Sequence, residues 1–299
     1  MSCFLIRPTL RNVSELPTLA VTGSTGGLGG RVARRLAASD VEQRLLVRDP
    51  TRAPTLDGAV PVTFRDYGDH DSAVAALQGV TTLFMVSAAE HEHRLEQHHA
   101  FVDAAAEAGV RHIVYTSFSS AAEDSTFTLG RHHYATEERI RASGMDWTFL
   151  RDNFYLDVFP HFVGEDGVIR GPAGDGTVAA VARDDIAASA AEILSRPGAH
   201  VGSTYVMTGP EALTLAEIAD IIGRVQGREV SYHHETLEEA YESRRKWEAP
   251  DWQYDAWVST YTAIAAGELA EVTNHVYRLT GRRPLSLAEL LEQDGSRSS

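Results

Sequence analysis

The sequence predicts an α/β protein built on a doubly wound parallel sheet, with a smaller and mostly helical C-terminal lobe. Three observations support this fold class. Short apolar runs alternate with longer helical patterns in the first half, a glycine-rich turn follows the first run directly, and the second half is less regular. With 299 residues, the chain is long enough to bury the core that such a fold requires.

The predicted strands of the first half are short and apolar, and most are separated by segments with helical periodicity. This alternation is typical of successive βαβ units. The strands are predicted at 18–22, 44–47, 60–64, 82–86, 112–116 and 147–150. The clearest helix is predicted over 91–108, where Gly109 ends the pattern.

Beyond Arg151 the pattern is interrupted by a glycine-rich passage at 171–176. A helix is predicted near 184–194, a strand at 204–207, an amphipathic helix over 213–225, and mostly helix from there to Leu291. The chain therefore divides into three expected parts. They are an N-terminal extension over 1–17, a core domain over 18–155 to which 177–210 return, and a small lobe formed mainly by 156–299.

Composition limits the classes of partner. The formal charge of −15, from 27 basic and 42 acidic residues, argues against a nucleic-acid binder, because such affinity requires clustered cations. The single cysteine, Cys3, cannot form an intrachain disulfide. The first 17 residues lack the long apolar stretch of a signal peptide, and no apolar window could span a bilayer. We therefore expect a cytoplasmic protein that binds no membrane; a homodimer is left open.

The strongest motif is Thr-Gly-Ser-Thr-Gly-Gly-Leu-Gly-Gly at 22–30, between the first strand and a helical run. Glycines at this spacing permit a tight turn, a close approach of backbone amides to a pyrophosphate, and close packing of the helix on the sheet. The positive end of the helix then attracts the phosphates. We therefore predict a Rossmann-type dinucleotide site; a glycine-rich turn without a ligand is the alternative. Its binding residues are predicted to be Gly23, Thr25, Gly26, Gly27, Leu28 and Gly29.

The end of the second strand favours NADP(H) over NAD(H). NAD-specific sites usually place an acidic residue there, which binds the adenosine ribose. Here the strand ends with Arg48, and Arg52 lies close behind it, so two guanidinium groups could bind the 2′-phosphate. The intervening Asp49 opposes this interpretation, and a solvated pair of surface arginines is the alternative.

Taken together and in order, seven motifs resemble the NmrA-like, atypical branch of the short-chain dehydrogenase/reductases, which includes type 2 quinone oxidoreductases and triphenylmethane reductases. The motifs lie at 22–30, 47–50, 66–69, 108–117, 133–137, 148–151 and 265–268. The resemblance implies NADPH binding, with Asp66 and Tyr67 at the cofactor site, and hydride transfer to a quinone, a dye or a carbonyl-like acceptor. The same branch also contains regulators that bind the dinucleotide without turnover, which is the alternative function.

The catalytic positions of better-known relatives are altered in this sequence. Those enzymes use Tyr-x-x-x-Lys, in which the tyrosine protonates a carbonyl oxygen and the lysine lowers the pKa of that tyrosine. Alignment puts Leu129 in the tyrosine place and His133 in the lysine place. With an ordinary pKa of about 6.5, His133 could donate a proton or bind the ribose of the cofactor. A histidine on a partly exposed helix is the alternative.

Polar and aromatic residues follow the predicted strands at the edge where a ligand would lie. Ser87 and Thr116 are expected to contact the nicotinamide end of the cofactor, and Ser117 to orient an acceptor oxygen. Each could instead satisfy local backbone groups. Tyr155 is expected to stack on a planar acceptor, with Phe154 a weaker candidate; simple packing is the alternative.

Four histidines before and within the predicted helix over 91–108 could suggest a metal site. They are His91, His93, His98 and His99. A metal site also requires a geometric set of ligands with supporting hydrogen bonds, whereas the resemblance implies packed and solvent-facing histidines on a helix. We predict no metal.

Overall fold

The computed structural model describes residues 16–298, so only two residues of the extension predicted over 1–17 fall within it. The strands are β1 (Leu19–Val21), β2 (Gln43–Val47), β3 (Ala59–Thr63), β4 (Thr82–Met85), β5 (His112–Phe118), β6 (Asp146–Asp152), β7 (Val168–Gly171), β8 (Thr177–Val178), β9 (Ser203–Met207), β10 (Leu213–Thr214) and β11 (Ser231–His234). The helices are α1 (Gly29–Ala38), α2 (His70–Leu77), α3 (Arg94–Glu107), α4 (Thr128–Ala142), α5 (Arg183–Ser195), α6 (Leu215–Gln226), α7 (Leu237–Arg244), α8 (Asp251–Ala265), α9 (His275–Thr280) and α10 (Leu287–Ser298).

Seven strands form the central sheet in the order β3-β2-β1-β4-β5-β6-β9, and every neighbouring pair is parallel. The strand order reverses direction between β1 and β4. In an open α/β sheet, the crevice at the carboxyl ends of the two strands at this switch point is where ligands bind. The sheet confirms the predicted Rossmann-type fold class.

Helices cover both faces of the sheet, which explains why β1, β2 and β5 are buried along their whole length. On one face, α1 and α5 pack with Leu36, Leu45 and Ile186 in the core. On the other face, α2, α3 and α4 enclose Phe101 and Tyr115. A third core lies beyond the carboxyl edge of the sheet, and it joins the loops after β5 and β6 to α6, α8 and α10.

The smaller lobe is mostly helical, as predicted, but it also contains two short two-stranded sheets. In one, β11 pairs in parallel with β7; in the other, β10 pairs antiparallel with β8. The expectation of helix from 226 onwards was wrong for β11, whose Ser-Tyr-His-His sequence lacks an apolar run. Within residues 16–298, no helix is both long and apolar enough to cross a membrane.

Candidate functional site

The glycine-rich loop between β1 and α1 folds into a tight turn. Gly23 has a φ of +63°, which L side chains rarely adopt, and its carbonyl accepts from the Gly26 amide at 2.9 Å. A Cβ atom on Gly29 would lie 2.5 Å from that carbonyl oxygen, so a larger residue would push α1 away. The first turn of α1 holds no acidic residue. Its positive end is therefore free to bind a phosphate.

The tip of this loop is open to solvent and carries an unsatisfied hydroxyl group. Thr25 and Gly27 are exposed, whereas the Leu28 side chain is buried in the core. Ser24 is 2% exposed, and its Oγ has no hydrogen-bond partner among the described residues. A buried polar atom without a partner is unfavourable, so the loop fits a ligand that accepts or donates a hydrogen bond here.

Arg48 and Arg52 are both exposed just beyond β2. The part of the chain that the structure describes gives neither of them a carboxylate partner at ion-pair distance. The intervening Asp49 accepts from the Thr51 amide at 3.0 Å and from the Thr51 hydroxyl at 2.7 Å. Because Asp49 caps the short 3-10 turn at Pro50–Arg52, its carboxylate is committed to that turn and both guanidinium groups are available to an anion.

The loop that follows β4 lies against the phosphate loop and is held by buried side chains. A Cβ atom on Gly23 would be 3.2 Å from the Cβ of Val86. The Val86 amide donates to Thr22 Oγ1 at 2.8 Å, and the Tyr67 hydroxyl donates to the Val86 carbonyl at 2.6 Å. The Ser87 amide donates to Thr116 Oγ1 at 2.8 Å. Tyr67 and Thr116 therefore position this loop through its backbone.

The next residue of the same loop, Ala88, is held on both sides. Its amide donates to His98 Nε2 at 2.9 Å, and its carbonyl accepts from Arg94 Nε at 2.9 Å. Asp66 acts further away: its Oδ1 accepts from the amides of Gly68 and Asp69, which shapes the turn that carries Tyr67. The hydroxyl group of Ser87, which is half-buried, lies on this fixed loop.

His133 is 7% exposed and both of its ring nitrogens are engaged. Nε2 lies 3.1 Å from Arg94 Nη2, and Nδ1 lies 3.0 Å from the Tyr115 hydroxyl. A guanidinium group can only donate, so Nε2 accepts and the ring proton is assigned to Nδ1. Burial, and then the charge of Arg94, hold the pKa of His133 well below its ordinary value. The ring is therefore neutral near neutral pH.

Ser117 is 3% exposed at the carboxyl end of β5, and its hydroxyl proton is already committed. Its Oγ donates to Glu137 Oε1 at 2.6 Å. Glu137 is fully buried and also accepts from Arg151 at 2.9 and 2.7 Å. The Ser117 hydroxyl therefore belongs to a buried ion-pair network between α4 and β6.

A cavity of about 1270 Å³ lies between the two lobes beyond the carboxyl ends of β4 and β6. Its walls include Glu90 from the loop after β4 and an aromatic set from both lobes: Phe127, Phe154, Phe162, Trp247, Trp257 and Tyr261. Glu90 Oε2 accepts from Trp257 Nε1 at 3.2 Å, which links the lobes at the cavity. The aromatic part of the wall suits a planar aromatic ligand, while charged residues such as Asp166, Arg170 and Lys246 line the rest of it.

Of the two aromatic residues that follow β6, Phe154 lines the cavity and Tyr155 does not. Phe154 lines the cavity and packs 5.1 Å from the ring of Phe118. Tyr155 lies outside the cavity wall, with the Arg183 guanidinium 4.7 Å above its ring and its hydroxyl 3.3 Å from Asp152 Oδ2. Arg183 in turn lies over the phosphate loop, because a Cβ atom on Gly27 would be 3.5 Å from Arg183 Cδ.

The four histidines are arranged in ways that leave few ligand atoms for a metal. His98 is fully buried, and its Nδ1 lies 2.9 Å from Thr136 Oγ1 while its Nε2 accepts from Ala88. His91 Nδ1 accepts from the His93 amide at 3.0 Å, and the His99 Nε2 atom is buried without a partner. Among residues 16–298, no group of three or more His, Cys, Asp or Glu residues could hold a metal ion.

Sequence reasoning missed three residues at this edge: Arg94, Asp152 and Arg183. Arg94 is 2% exposed, and within residues 16–298 its Nη1 has no hydrogen-bond partner. Asp152 is equally buried, and its Oδ1 has no hydrogen-bond partner in the same range. Charged residues are seldom buried, and the sequence gives no sign of it here, except that Asp152 lies two residues after the predicted strand at 147–150.

The NmrA-like family model matches residues 16–250 of this chain. Quinone oxidoreductase 2 of Escherichia coli (strain K12) is 33% identical over 279 residues, which cover 91% of this chain and 96% of that protein. The NAD(P)H azoreductase of Xenophilus azovorans is 32% identical over 275 residues, with coverage of 91% and 96%.

Solved structures agree with these relatives. The crystal structure of an NADPH-dependent quinone oxidoreductase from Escherichia coli, complexed with NADPH, has a TM-score of 0.84 and 31% identity, covering 93% of this chain and 99% of that one. Triphenylmethane reductase from Citrobacter sp., complexed with NADP(H), has a TM-score of 0.81 and 32% identity, with coverage of 92% and 99%.

Proposed function

Because this chain belongs to the NmrA-like family, we propose that it is an NADPH-dependent reductase that passes hydride to a small planar acceptor, such as a quinone or a dye. The observation that carries this proposal is the aromatic cavity of about 1270 Å³, which lies beside the carboxyl edge of a Rossmann-type sheet. Relatives of more than 30% identity are named as quinone and azo reductases, which supports the same acceptor class.

Residues along the carboxyl edge of the sheet would bind each part of NADPH, from the 2′-phosphate to the nicotinamide. Arg48 and Arg52, exposed and without carboxylate partners, would bind the 2′-phosphate as charged hydrogen-bond donors. The open tip at Thr25–Gly27 and the positive end of α1 would hold the pyrophosphate. The fixed loop at Ser87 would lie under the nicotinamide end. When bound, NADPH supplies the hydride.

The acceptor would lie flat against the aromatic walls of the cavity, beside Phe154. Alignment of the reacting groups and exclusion of water can supply much of the catalysis for an electron-poor acceptor. Addition of hydride to a quinone gives a hydroquinone anion, which then takes a proton. We assign that proton to solvent, because the His133 ring is neutral with both nitrogens engaged.

The three residues first considered for catalysis receive different roles in this proposal. His133 positions Arg94 and Tyr115 beneath the nicotinamide end. Ser117 supports the same region through Glu137, and Tyr155 borders the cofactor through Arg183. Residues 18–155 and 177–210 would form the cofactor domain, with 156–299 contributing most of the acceptor lobe.

The test is a screen of NADPH oxidation, followed by nicotinamide absorbance, against quinones, azo dyes, triphenylmethane dyes and aldehydes. We expect turnover with quinones or dyes that exceeds the reaction without protein, and weaker turnover with aldehydes, which need acid catalysis. Tight NADPH binding without oxidation of any acceptor, together with strong discrimination between NADP⁺ and NADPH, would instead support a redox-sensing regulator.

A further inference from the structure

The carboxyl group of Asp152 is buried at the carboxyl end of β6, and only one of its two oxygen atoms has a hydrogen-bond partner among the described residues. The residue is 2% exposed. Its Oδ2 accepts from the Tyr155 hydroxyl at 3.3 Å, while Oδ1 has no hydrogen-bond partner among the residues that the structure describes. Within residues 16–298, no basic side chain forms an ion pair with it. This carboxyl group therefore lacks the partner that a buried carboxyl normally has in a folded chain.

Such a group is unfavourable for folding unless something outside the chain completes it. Burial raises the pKa of Asp152 well above its ordinary value, so the protonated form of the group persists to higher pH than in an exposed aspartate. A neutral carboxyl offers one O–H donor in addition to its acceptor oxygen. The missing partner should then be a neutral polar group that can both donate and accept.

The contacts around Asp152 lead to the phosphate loop. Asp152 bonds to Tyr155, the Tyr155 ring lies beneath the Arg183 guanidinium at 4.7 Å, and Arg183 covers Gly27. Neither Asp152 nor Tyr155 lines the acceptor cavity. Asp152 therefore lies at the carboxyl edge of the sheet, next to residues that contact the phosphate loop. Its strand, β6, lies four strands from β2, after which Arg48 follows, or about 19 Å at the usual strand spacing.

We propose that the free oxygen of Asp152 binds the carboxamide group of the nicotinamide ring; this inference rests on the proposed function. A primary amide offers an N–H donor and a carbonyl acceptor, which complement a neutral carboxyl group. The contact fixes the rotation of the nicotinamide ring about its bond to ribose. One face of the ring is then presented to the cavity at Phe154 in every turnover, and Asp152 acts as a positioning residue.

Ligand titrations followed by fluorescence test this role, with wild type, Asp152→Asn and Asp152→Leu. For Asp152→Leu we expect the Kd for NADPH to rise about tenfold or more, as for one lost hydrogen bond to a ligand. Binding of adenosine 2′,5′-bisphosphate, which has no nicotinamide ring, should stay unchanged. Asp152→Asn should retain NADPH binding, because its amide can also donate and accept.

Two further readouts separate positioning from folding. The acetylpyridine analogue of the cofactor, which lacks the amide N–H, should bind more weakly than the natural cofactor to wild type but equally to Asp152→Leu. In the third readout, NADPH carries deuterium at one or the other of the two C4 positions. Wild type should transfer deuterium to the acceptor from only one of these two cofactors, whereas Asp152→Leu should transfer it from both.

An unchanged NADPH affinity in Asp152→Leu would overturn the inference. An equal loss of affinity for NADPH and for adenosine 2′,5′-bisphosphate in that variant would overturn it too. Normal NADPH binding in Asp152→Asn with loss of turnover would also overturn it, since Asp152 would then be a proton donor. Failure of wild type to bind NADPH would instead refute the proposed function itself.

Discussion

Replacing His133 with alanine perturbs the buried network beneath the proposed nicotinamide end. The His133 side chain accepts from Arg94 and bonds to the Tyr115 hydroxyl, at 3.1 and 3.0 Å. The substitution leaves a buried guanidinium N–H unpaired and removes the shorter hydrogen bond of the Tyr115 hydroxyl, which keeps His98 Nδ1 at 3.5 Å. An unsatisfied buried group costs about 1–3 kcal/mol and a lost hydrogen bond about 0.5–1.5 kcal/mol, so we expect the free energy of unfolding to fall by about 1.5–4.5 kcal/mol. That is a large part of the typical total of about 5–15 kcal/mol.

Urea unfolding near neutral pH measures this loss, and the same helix supplies the control. His132 is only half-buried and its Nδ1 has no partner, so His132→Ala should cost less than about 1 kcal/mol. His133→Gln should recover much of the lost stability, because its amide can accept from Arg94 and donate to Tyr115. Equal and small losses in His133→Ala and His132→Ala would refute the network.

The same variants separate positioning from proton donation. We expect His133→Gln to retain turnover within about tenfold of wild type, because the ring of His133 is neutral and its nitrogens are engaged. If the folded glutamine variant binds NADPH normally yet loses about 100-fold in rate, as expected on removal of a general acid, then His133 is the proton donor and the neutral-ring argument fails.

Three other predictions concern the cofactor edge. Arg48→Ala should weaken NADPH binding by about 1.5–3 kcal/mol, the value of one charged hydrogen bond, and leave NADH binding unchanged in fluorescence titrations; equal losses for both cofactors would contradict it. Gly29→Ala should abolish NADPH binding, because its Cβ would lie 2.5 Å from a carbonyl oxygen, whereas Gly198→Ala, whose Cβ would have no neighbour within 4 Å and lies outside the phosphate loop, should bind normally in calorimetry. The pKa of Asp152 is raised in the folded protein, so the contribution of Asp152 to stability falls as pH rises above about 3.9. Asp152→Asn should therefore exceed wild type in thermal stability by a margin that grows with pH. A margin that stays constant with pH would contradict this prediction.

Local patterns in the sequence predict most of the fold. Apolar runs, helical periodicity and the glycine-rich turn place the strands of the first half to within a few residues, and the structure confirms the fold class. The resemblance to the NmrA-like family is also confirmed by the match over residues 16–250. The strand β11 was missed because its pairing with β7 depends on a contact across more than sixty residues rather than on local pattern.

The candidate site was harder to predict, because the sequence shows which residues follow a strand but not where their side chains point. Tyr67 and Thr116 were expected near a cofactor, yet both bond to the backbone of the loop after β4. Asp49 was expected to disfavour a 2′-phosphate, but it caps a turn. Burial of Arg94 and Asp152 depends on elements far apart in the sequence, so neither could be predicted from local pattern.

In the proposed function, hydride passes from NADPH to a planar acceptor in the cavity. The most direct measurement is single-turnover stopped flow, in which the NADPH-loaded protein is mixed with menadione and the nicotinamide absorbance is followed. We predict rapid loss of that absorbance, slowed by deuterium at one of the two C4 positions and by Phe154→Ala, which removes part of the cavity wall. A rate no faster than that of free NADPH with menadione, or one unaffected by deuterium at both positions, would refute this hydride transfer.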